Sequence, residues 1–125
     1  MVLENLLYTE THEWVKVDGD VATVGITDYA QHELGDIVYV EFPAVGEEVT
    51  KGEAFGSIEA VKAVEDILSP VSGEVIEVNE ALEDASEKIN QSPFEEGWII
   101  KVQISDPEEL NSLLKADAYK KIIEG

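Results

Sequence analysis

The chain has 125 residues, 44% of them hydrophobic, no cysteine, and a formal net charge of −20 at pH 7. Its length favours a single domain, residues 1–125, with a hydrophobic core of its own. A charge this negative repels phosphate backbones and anionic lipids, so we expect no nucleic-acid partner and no membrane partner. The lack of cysteine excludes disulfides, thiol catalysis and thiolate metal sites.

The sequence predicts neither a membrane span nor a targeting segment. No stretch approaches the ~20 apolar residues that a membrane-spanning helix needs. The start, MVLENLLYTE, lacks a basic region followed by a long apolar one, as a signal peptide would have. We therefore expect a cytoplasmic protein.

The N-terminal half predicts short strands joined by tight turns. The β-rich runs EWVKVD and VATVGIT flank Asp18-Gly19, which is a hairpin signal. Thr27 or Asp28 is placed to cap a short helix over DYAQHEL, and Gly35 is placed to end it. The run DIVYVEFP, rich in β-branched and aromatic residues, predicts the next strand.

The second half predicts two further strands. The segment SPVSGEVIEVN gives a turn and then a strand, after which Asn79 is placed to cap a short helix from Glu80. The run WIIKVQIS is another strand, with one apolar face made by Trp98, Ile100, Val102 and Ile104.

A C-terminal helix is predicted from residue 107 onwards. Asp106 is the expected N-cap, Pro107 the first helical residue, and Glu109 completes a capping-box pattern. The expected apolar stripe is Leu110, Leu113, Leu114 and Ala118.

Many short strands with little helix between them indicate a β-sandwich or small barrel with short helices appended. The segments GDIVYVE, from Gly35, and GEVIEVN, from Gly73, echo each other. Two similar halves packed face to face would explain the echo. Chance similarity between β-rich strands is the alternative.

The segment GSIEAVKAVEDILSPVSGEV holds Lys62 in an apolar strip flanked by acids. Apolar residues recur at near-helical spacing, at Ile58, Val61, Val64 and Leu68. No turn-forming residue stands between Ile58 and Glu65. The local pattern therefore favours an amphipathic helix, on which Lys62 would be a surface lysine paired with Asp66.

The same segment resembles the lysine-bearing segment of the glycine cleavage system H proteins, which reads ESVKA followed by SPVSGEV. Ala60 stands here in place of the usual serine. The run from HEWVKVDGD to VGEEVTKG, the run INQSPFEEGWIIKV and the run DPEELNSLLKADAYKKII are similar to further segments of that family. The resemblance extends from about Tyr8 to Ile123, which is nearly the whole chain.

This resemblance implies a mostly β, hybrid barrel-sandwich fold with short helices and a C-terminal helix. It implies that Lys62, at the tip of an exposed hairpin, carries lipoic acid in amide linkage, so that acylation would take the net charge of −20 to −21. Small apolar neighbours, Val61 and Ala63, would keep the lysine accessible. Glu59 and Asp66 would help an attaching enzyme or a partner to recognise the hairpin.

The resemblance also implies a non-catalytic carrier with four partners. Glycine decarboxylase (the P protein) would load an aminomethyl group onto the lipoyl arm. Aminomethyltransferase (the T protein) would pass it on, dihydrolipoamide dehydrogenase (the L protein) would reoxidise the arm, and a lipoate-attaching enzyme would modify Lys62.

Loaded arms in this family lie in a cleft of the carrier, and the matching positions are Thr11, Glu13 and Asp66. Acids there would hold the amine by charge-assisted hydrogen bonds; solvated surface acids are the alternative. Some relatives carry a histidine on the first helix, where this chain has Glu33, with His32 one position earlier. We therefore expect no histidine in arm docking, and no metal site.

Other functions are weighed against this one. An H-like protein could relay lipoate to other enzymes, and a lipoyl domain of a 2-oxoacid dehydrogenase would typically read DKA at its lysine. The segments HEW and ITDYAQ argue against the latter. An independent enzyme would need a clustered catalytic site, which the sequence does not predict. An unmodified structural protein would tolerate Lys62→Arg.

Overall fold

The computed structural model describes residues 2–124. Its strands are β1 (Leu7–Tyr8), β2 (Glu13–Asp18), β3 (Val21–Ile26), β4 (Ile37–Glu41), β5 (Glu48–Val49), β6 (Ala54–Ala60), β7 (Val64–Leu68), β8 (Gly73–Val78) and β9 (Ile100–Ile104). Its helices are α1 (Asp28–Leu34), α2 (Ala81–Asp84), α3 (Lys88–Gln91) and α4 (Ala116–Glu124), with a 3₁₀ helix at Pro107–Ser112.

The strands form two antiparallel sheets. One has the order β1-β2-β3-β9-β8-β5, and the other has the order β4-β6-β7. Buried side chains of both sheets share one hydrophobic cluster, including Val24 and Val102 from the first and Ile58 and Ile67 from the second. The architecture is thus the expected barrel-sandwich hybrid, with short helices and a C-terminal helix. The two echoing segments supply β4 and β8, one to each sheet.

Local turn and cap chemistry is confirmed in the N-terminal half. Gly19 has φ 66° at the turn between β2 and β3, where a side chain would be strained. The side chain of Thr27, at the N-cap of α1, accepts a hydrogen bond from the backbone N–H of Ala30 at 3.2 Å. At the other end, the N–H of Gly35 donates to the carbonyl of Gln31 at 3.0 Å.

The helix that the local pattern favours around Lys62 is wrong, because this segment forms the hairpin β6–β7. Ile58 and Ile67 are the buried apolar side chains of the two strands, whereas Val61 and Val64 are 70% and 62% exposed. The apolar residues therefore do not form one buried stripe. Pairing of β6 with β4 on one side and β7 on the other outweighs the local periodicity.

The C-terminal segment is not one continuous helix. The 3₁₀ helix ends at Ser112, and the backbones of Leu114 and Tyr8 then exchange two hydrogen bonds of 2.8 Å before α4 begins. Asp106 caps the 3₁₀ helix as predicted, but the predicted capping box is absent. The carboxylate of Glu109 instead accepts hydrogen bonds from the N–H and the hydroxyl of Ser72, at 2.7 and 2.8 Å.

The predicted C-terminal stripe is divided in the same way. Leu110 and Leu113 pack on the main core, whereas Leu114 joins a second cluster with Tyr8, Trp14 and Tyr119. Ala118 is exposed, so its place in the stripe was wrong.

Two other local predictions need correction. Asn79 does not cap α2; its side-chain amide donates to the carbonyls of Glu96 and Trp98, both at 2.8 Å. Trp98 precedes β9 and packs in the second cluster, although Ile100, Val102 and Ile104 do form the strand's buried face. Within residues 2–124, no helix is long and apolar enough to cross a membrane.

Candidate functional site

The hairpin β6–β7 turns without glycine, and hydrogen bonds at its tip account for the turn. The N–H of Ala60 donates to the carbonyl of Ala63 at 2.8 Å, and the N–H of Val61 donates to the carbonyl of Asp36 at 3.1 Å. Two-residue hairpin loops usually need positive φ angles. Val61 and Lys62 both have negative φ, since His12 is the only non-glycine residue with positive φ among those described. The hydrogen bond that the carbonyl of Asp36, just before β4, accepts from Val61 thus stabilises a turn that the loop sequence does not favour.

Lys62 lies at this tip with its side chain exposed. Glu59, Val61 and Ala63 around it are exposed as well, whereas Ala60 is buried and fixes the end of β6. Within residues 2–124, the ammonium group of Lys62 makes no hydrogen bond or ion pair. A free primary amine on a flexible stem is therefore open to acylation.

A cleft of about 390 Å³ opens beside the hairpin, between β7, the start of β2 and α1; we call it the hairpin cleft. Its apolar wall is formed by Ile26, Leu34, Ile58 and Ile67. Its polar groups include Thr11, Glu13, Glu33, Glu65 and Asp66. Ala63, the residue after Lys62, also lines it. The three positions matched from the family, Thr11, Glu13 and Asp66, thus lie in one cleft next to the lysine.

Glu13 is the buried acid of the cleft, with a side chain fixed at both oxygens. Its Oε1 accepts hydrogen bonds from the hydroxyls of Thr9 and Thr11, and its Oε2 accepts one from the N–H of Leu68 at 3.2 Å. Desolvation by burial raises the pKa of Glu13, and these hydrogen bonds oppose the shift. Thr11 and Asp66 are exposed, so the cleft combines one fixed, buried acid with solvated groups at its edge.

A sequence model described as "Glycine cleavage H-protein" matches residues 6–125 of the chain. The chain is 55% identical over 124 residues to the mitochondrial glycine cleavage system H protein 2 of Arabidopsis thaliana, which covers 99% of this chain and 80% of the relative. It is 53% identical over 122 residues to the glycine cleavage system H protein of Staphylococcus haemolyticus, with 98% and 97% covered. The chain belongs to the glycine cleavage H-protein family.

The fold agrees with a solved member of this family. The crystal structure of a glycine cleavage system H protein from Mycobacterium marinum superposes with a TM-score of 0.91 at 36% identity, covering 99% of this chain and 100% of that one. Members of the family are non-catalytic carriers that bear lipoic acid on a lysine and act with the other components of the glycine cleavage system. The family therefore gives this chain its cofactor and its carrier role.

The two histidines of the chain lie in different places relative to the hairpin cleft. His32 does not line the hairpin cleft; its Nδ1 lies 3.1 Å from the carbonyl oxygen of Asp28 on the exposed side of α1. Glu33, at the position matched to the family's histidine, does line the cleft. The sequence predicts no histidine in arm docking; the other histidine, His12, forms part of the cleft wall.

His12 could not be found from local sequence. Its ring packs beside Tyr29, with 4.8 Å between ring centroids, and its Nδ1 lies 2.8 Å from the hydroxyl oxygen of Tyr119. Tyr119 is 107 residues away along the chain. The one local signal is that His12 is adjacent to Glu13. Within residues 2–124 no group of three metal-ligating side chains comes together, and the lack of a metal stays a prediction.

Proposed function

We propose that Lys62 is the residue that carries the lipoyl group, and that the hairpin cleft shelters the amine-bearing end of the arm. The observation that supports both assignments is the juxtaposition of an exposed, unpaired lysine with the cleft, since Ala63 lines the cleft directly after Lys62. Among the described residues, no other lysine is next to a cleft-lining residue in the chain.

The residues at the hairpin tip fit a covalent arm. Val61 and Ala63 are exposed and carry no polar group that would hold the lysine, so the stem of Lys62 is free to move. Glu59 points away from the buried face of β6 and gives an attaching enzyme a charged feature to recognise. We assign Glu59, Val61 and Ala63 to this recognition.

The cleft residues fit a ligand with an apolar body and a cationic end. When bound, the lipoyl group supplies the dithiol chemistry that a chain without cysteine lacks. Ile26, Ile58 and Ile67 exclude water from the apolar part of the cleft. The carboxylates of Glu13 and Asp66 accept hydrogen bonds from an amine, and Thr11 holds Glu13 in place.

The chain acts with the other components of the glycine cleavage system, and we assign their individual contacts by function. Glycine decarboxylase would supply the aminomethyl group, aminomethyltransferase would receive it, dihydrolipoamide dehydrogenase would take the electrons, and a lipoate-attaching enzyme would acylate Lys62. The net charge of −20 favours basic docking surfaces on these partners. A tethered arm then raises the local concentration of the cargo in each docked active site.

We also propose that residues 1–125 form one domain and that the protein is cytoplasmic. Residues 1 and 125 lie outside the described residues, and the shared core of the two sheets supports one folding unit. One relative is mitochondrial by name, so cell fractionation is the test of the compartment.

The function is tested by glycine-dependent exchange of labelled bicarbonate. The lipoylated chain is mixed with glycine decarboxylase, glycine and labelled bicarbonate, with Lys62→Arg as the matched control. Exchange that depends on Lys62 supports the carrier role. A lipoylated chain that supports no exchange would instead indicate a protein that relays lipoate to other enzymes.

A further inference from the structure

A chain of side-chain hydrogen bonds joins the C-terminal helix to the wall of the hairpin cleft. The Nδ1 atom of His12 lies 2.8 Å from the hydroxyl oxygen of Tyr119, which lies 2.7 Å from Oγ1 of Thr27. Oγ1 of Thr27 accepts a further bond from the N–H of Ala30, at 3.2 Å. The segment before β2, the start of α1 and the helix α4 therefore meet at one buried hydroxyl group.

The number of available hydrogens fixes the direction of each bond. Thr27 is fully buried, and within residues 2–124 its hydroxyl has one acceptor in reach, the oxygen of Tyr119. Thr27 therefore donates to Tyr119, since the opposite direction would leave a buried hydroxyl hydrogen without a partner. The Tyr119 hydroxyl, which has a single hydrogen, then donates its hydrogen bond to Nδ1 of His12. The neutral imidazole consequently carries its own hydrogen on Nε2.

The surroundings keep this ring neutral. A proton added at Nδ1 would reverse the direction of both hydrogen bonds and leave the hydroxyl hydrogen of Thr27 without an acceptor. Burial lowers the pKa of His12, and the charge of Glu33 on α1 acts in the opposite direction. Tyr29 on α1 and Tyr119 on α4 contact the ring, and the carboxylates of Glu13, Glu65 and Asp66 line the same cleft. Burial raises the pKa of Tyr119 to about 12, so its hydroxyl keeps its hydrogen at neutral pH.

The backbone of His12 is also held in place, by two hydrogen bonds. Its N–H donates to the carbonyl of Thr9 at 3.2 Å, and its carbonyl accepts from the N–H of Thr27 at 3.0 Å. Its φ of 72° lies in the left-handed region, which an isolated histidine seldom occupies. The ring lines the cleft, and its Nε2 has no partner within residues 2–124. A hydrogen-bond donor is therefore held in a wall that otherwise presents several carboxylates.

We infer that His12 is a specificity-determining donor of the hairpin cleft, and that Tyr119 and Thr27 are positioning residues that hold its hydrogen on Nε2. This inference rests on the proposed role of the cleft and names the ligand chemistry more closely. The ligand is a lipoyl-lysine arm that bears an amine. The carboxylates of the cleft accept hydrogen bonds from the amine, and Nε2–H donates one to a sulfur or to the amide oxygen of the arm. A neutral ring also leaves the carboxylates free for that amine, with which an imidazolium would compete.

The tautomer is measured on the chain without lipoate, by NMR of ¹⁵N-labelled imidazole rings. We expect His12 as the Nε2–H tautomer across neutral pH, and a mixture of tautomers with a higher pKa in Tyr119→Phe. Tyr8→Phe is the matched control, because Tyr8 stacks on Tyr119 at 4.6 Å but its hydroxyl bonds to Leu3. A wild-type ring with its hydrogen on Nδ1, or an unchanged tautomer in Tyr119→Phe, would overturn the inference.

A second pair of variants covers the case in which Tyr119→Phe does not fold. Thr27→Ala removes the hydroxyl that orients Tyr119, whereas Thr27→Ser keeps it. We expect mixed tautomers for His12 in the alanine variant and the wild-type tautomer in the serine variant. Identical spectra of His12 in the two variants would contradict the positioning role.

The donor role is measured on lipoylated protein, as the lifetime of the amine-loaded arm. His12→Asn keeps an acceptor near Nδ1 and tolerates the positive φ, but lacks a donor at Nε2. We expect the arm of this variant to lose its amine-bearing group about fivefold faster, which is the factor for one neutral hydrogen bond. His12→Gln, whose amide reaches the Nε2 position, restores part of the lifetime; equal loss in both variants would refute the donor role. If Lys62 is not lipoylated, the proposed function and the donor role fail together, while the tautomer measurement still decides the positioning roles of Tyr119 and Thr27.

Discussion

The side chain of Glu13 accepts a hydrogen bond from the backbone N–H of Leu68, with 3.2 Å between the two atoms. Glu13 is the first residue of β2 and Leu68 the last of β7, so the bond joins the six-stranded sheet to the hairpin that carries Lys62. Because Glu13 is also part of the hairpin cleft, one buried carboxylate both anchors the hairpin and faces the proposed cargo.

The stability of the protein will depend on the charge of Glu13. Burial raises its folded pKa above the ordinary 4.5, so its contribution to the free energy of unfolding is greatest below that value. That contribution falls as the pH rises through the folded pKa. The Glu13→Gln variant has no such titration, so wild-type stability should fall relative to it across this pH range. Urea denaturation at a series of pH values measures the difference.

The control for this measurement is Glu10→Gln, an exposed change of equal charge three residues earlier. It corrects for the general repulsion within a chain of net charge −20. A wild-type advantage over Glu13→Gln that grows as the pH rises would show that the hydrogen bonds of Glu13 outweigh its burial.

Asp66 should prolong the life of an amine-loaded arm. In Asp66→Asn one carboxylate of the cleft loses its charge, so we expect release of the amine to be about threefold faster, as for an exposed ion pair. The measurement is the rate at which formaldehyde and ammonia appear from loaded, lipoylated protein. Glu53→Gln is the matched control, because Glu53 is an exposed acid that does not line the cleft. Equal rates in the two variants would leave Asp66 as an ordinary surface acid.

Hydrogen exchange should detect the hydrogen bond that stabilises the hairpin tip. The N–H of Val61 is bonded to the carbonyl of Asp36, so it should exchange at least about tenfold more slowly than the N–H of Lys62 beside it. NMR-detected exchange of the assigned amides gives both rates. Similar rates for Val61 and Lys62 would mean that the tip is not braced by Asp36.

Glu109 should be the residue that fixes the 3₁₀ helix to the rest of the fold. Glu109→Ala removes two hydrogen bonds to Ser72, so we expect a loss of about 1–3 kcal/mol in the free energy of unfolding. Glu108→Ala, at the exposed neighbouring position, should change it by less than about 0.5 kcal/mol. Equal losses from the two substitutions would show that helix propensity, and not the bonds to Ser72, is responsible.

The parts of the fold that the sequence predicts are those in which the deciding contacts are local. Gly19 lies in the turn between β2 and β3. Thr27 and Gly35 mark the ends of α1 through hydrogen bonds to residues three and four positions away. The buried face of β9 follows from simple alternation of apolar residues. In each case the residue type and its immediate neighbours determine the structure.

The parts that local pattern misses depend on distant partners. The hairpin turns at Val61, whose N–H bonds to the carbonyl of Asp36. The 3₁₀ helix ends at Ser112 and the chain is extended at Leu114, because the backbone of Tyr8 pairs with Leu114 there. His12 likewise owes its position to Tyr119 at the other end of the chain. The whole-chain resemblance, and not the local periodicity, correctly placed Lys62 on a hairpin.

The attachment site is tested most directly by mass spectrometry of the chain produced in cells that have lipoate and an attaching enzyme. We predict one lipoyl group per chain, mapped by peptide analysis to Lys62, lost in Lys62→Arg and retained in Lys16→Arg, which changes an exposed lysine of β2 away from the hairpin tip. A chain that stays unmodified under these conditions, or one modified at a different lysine, would contradict the assignment of Lys62 as the carrier residue.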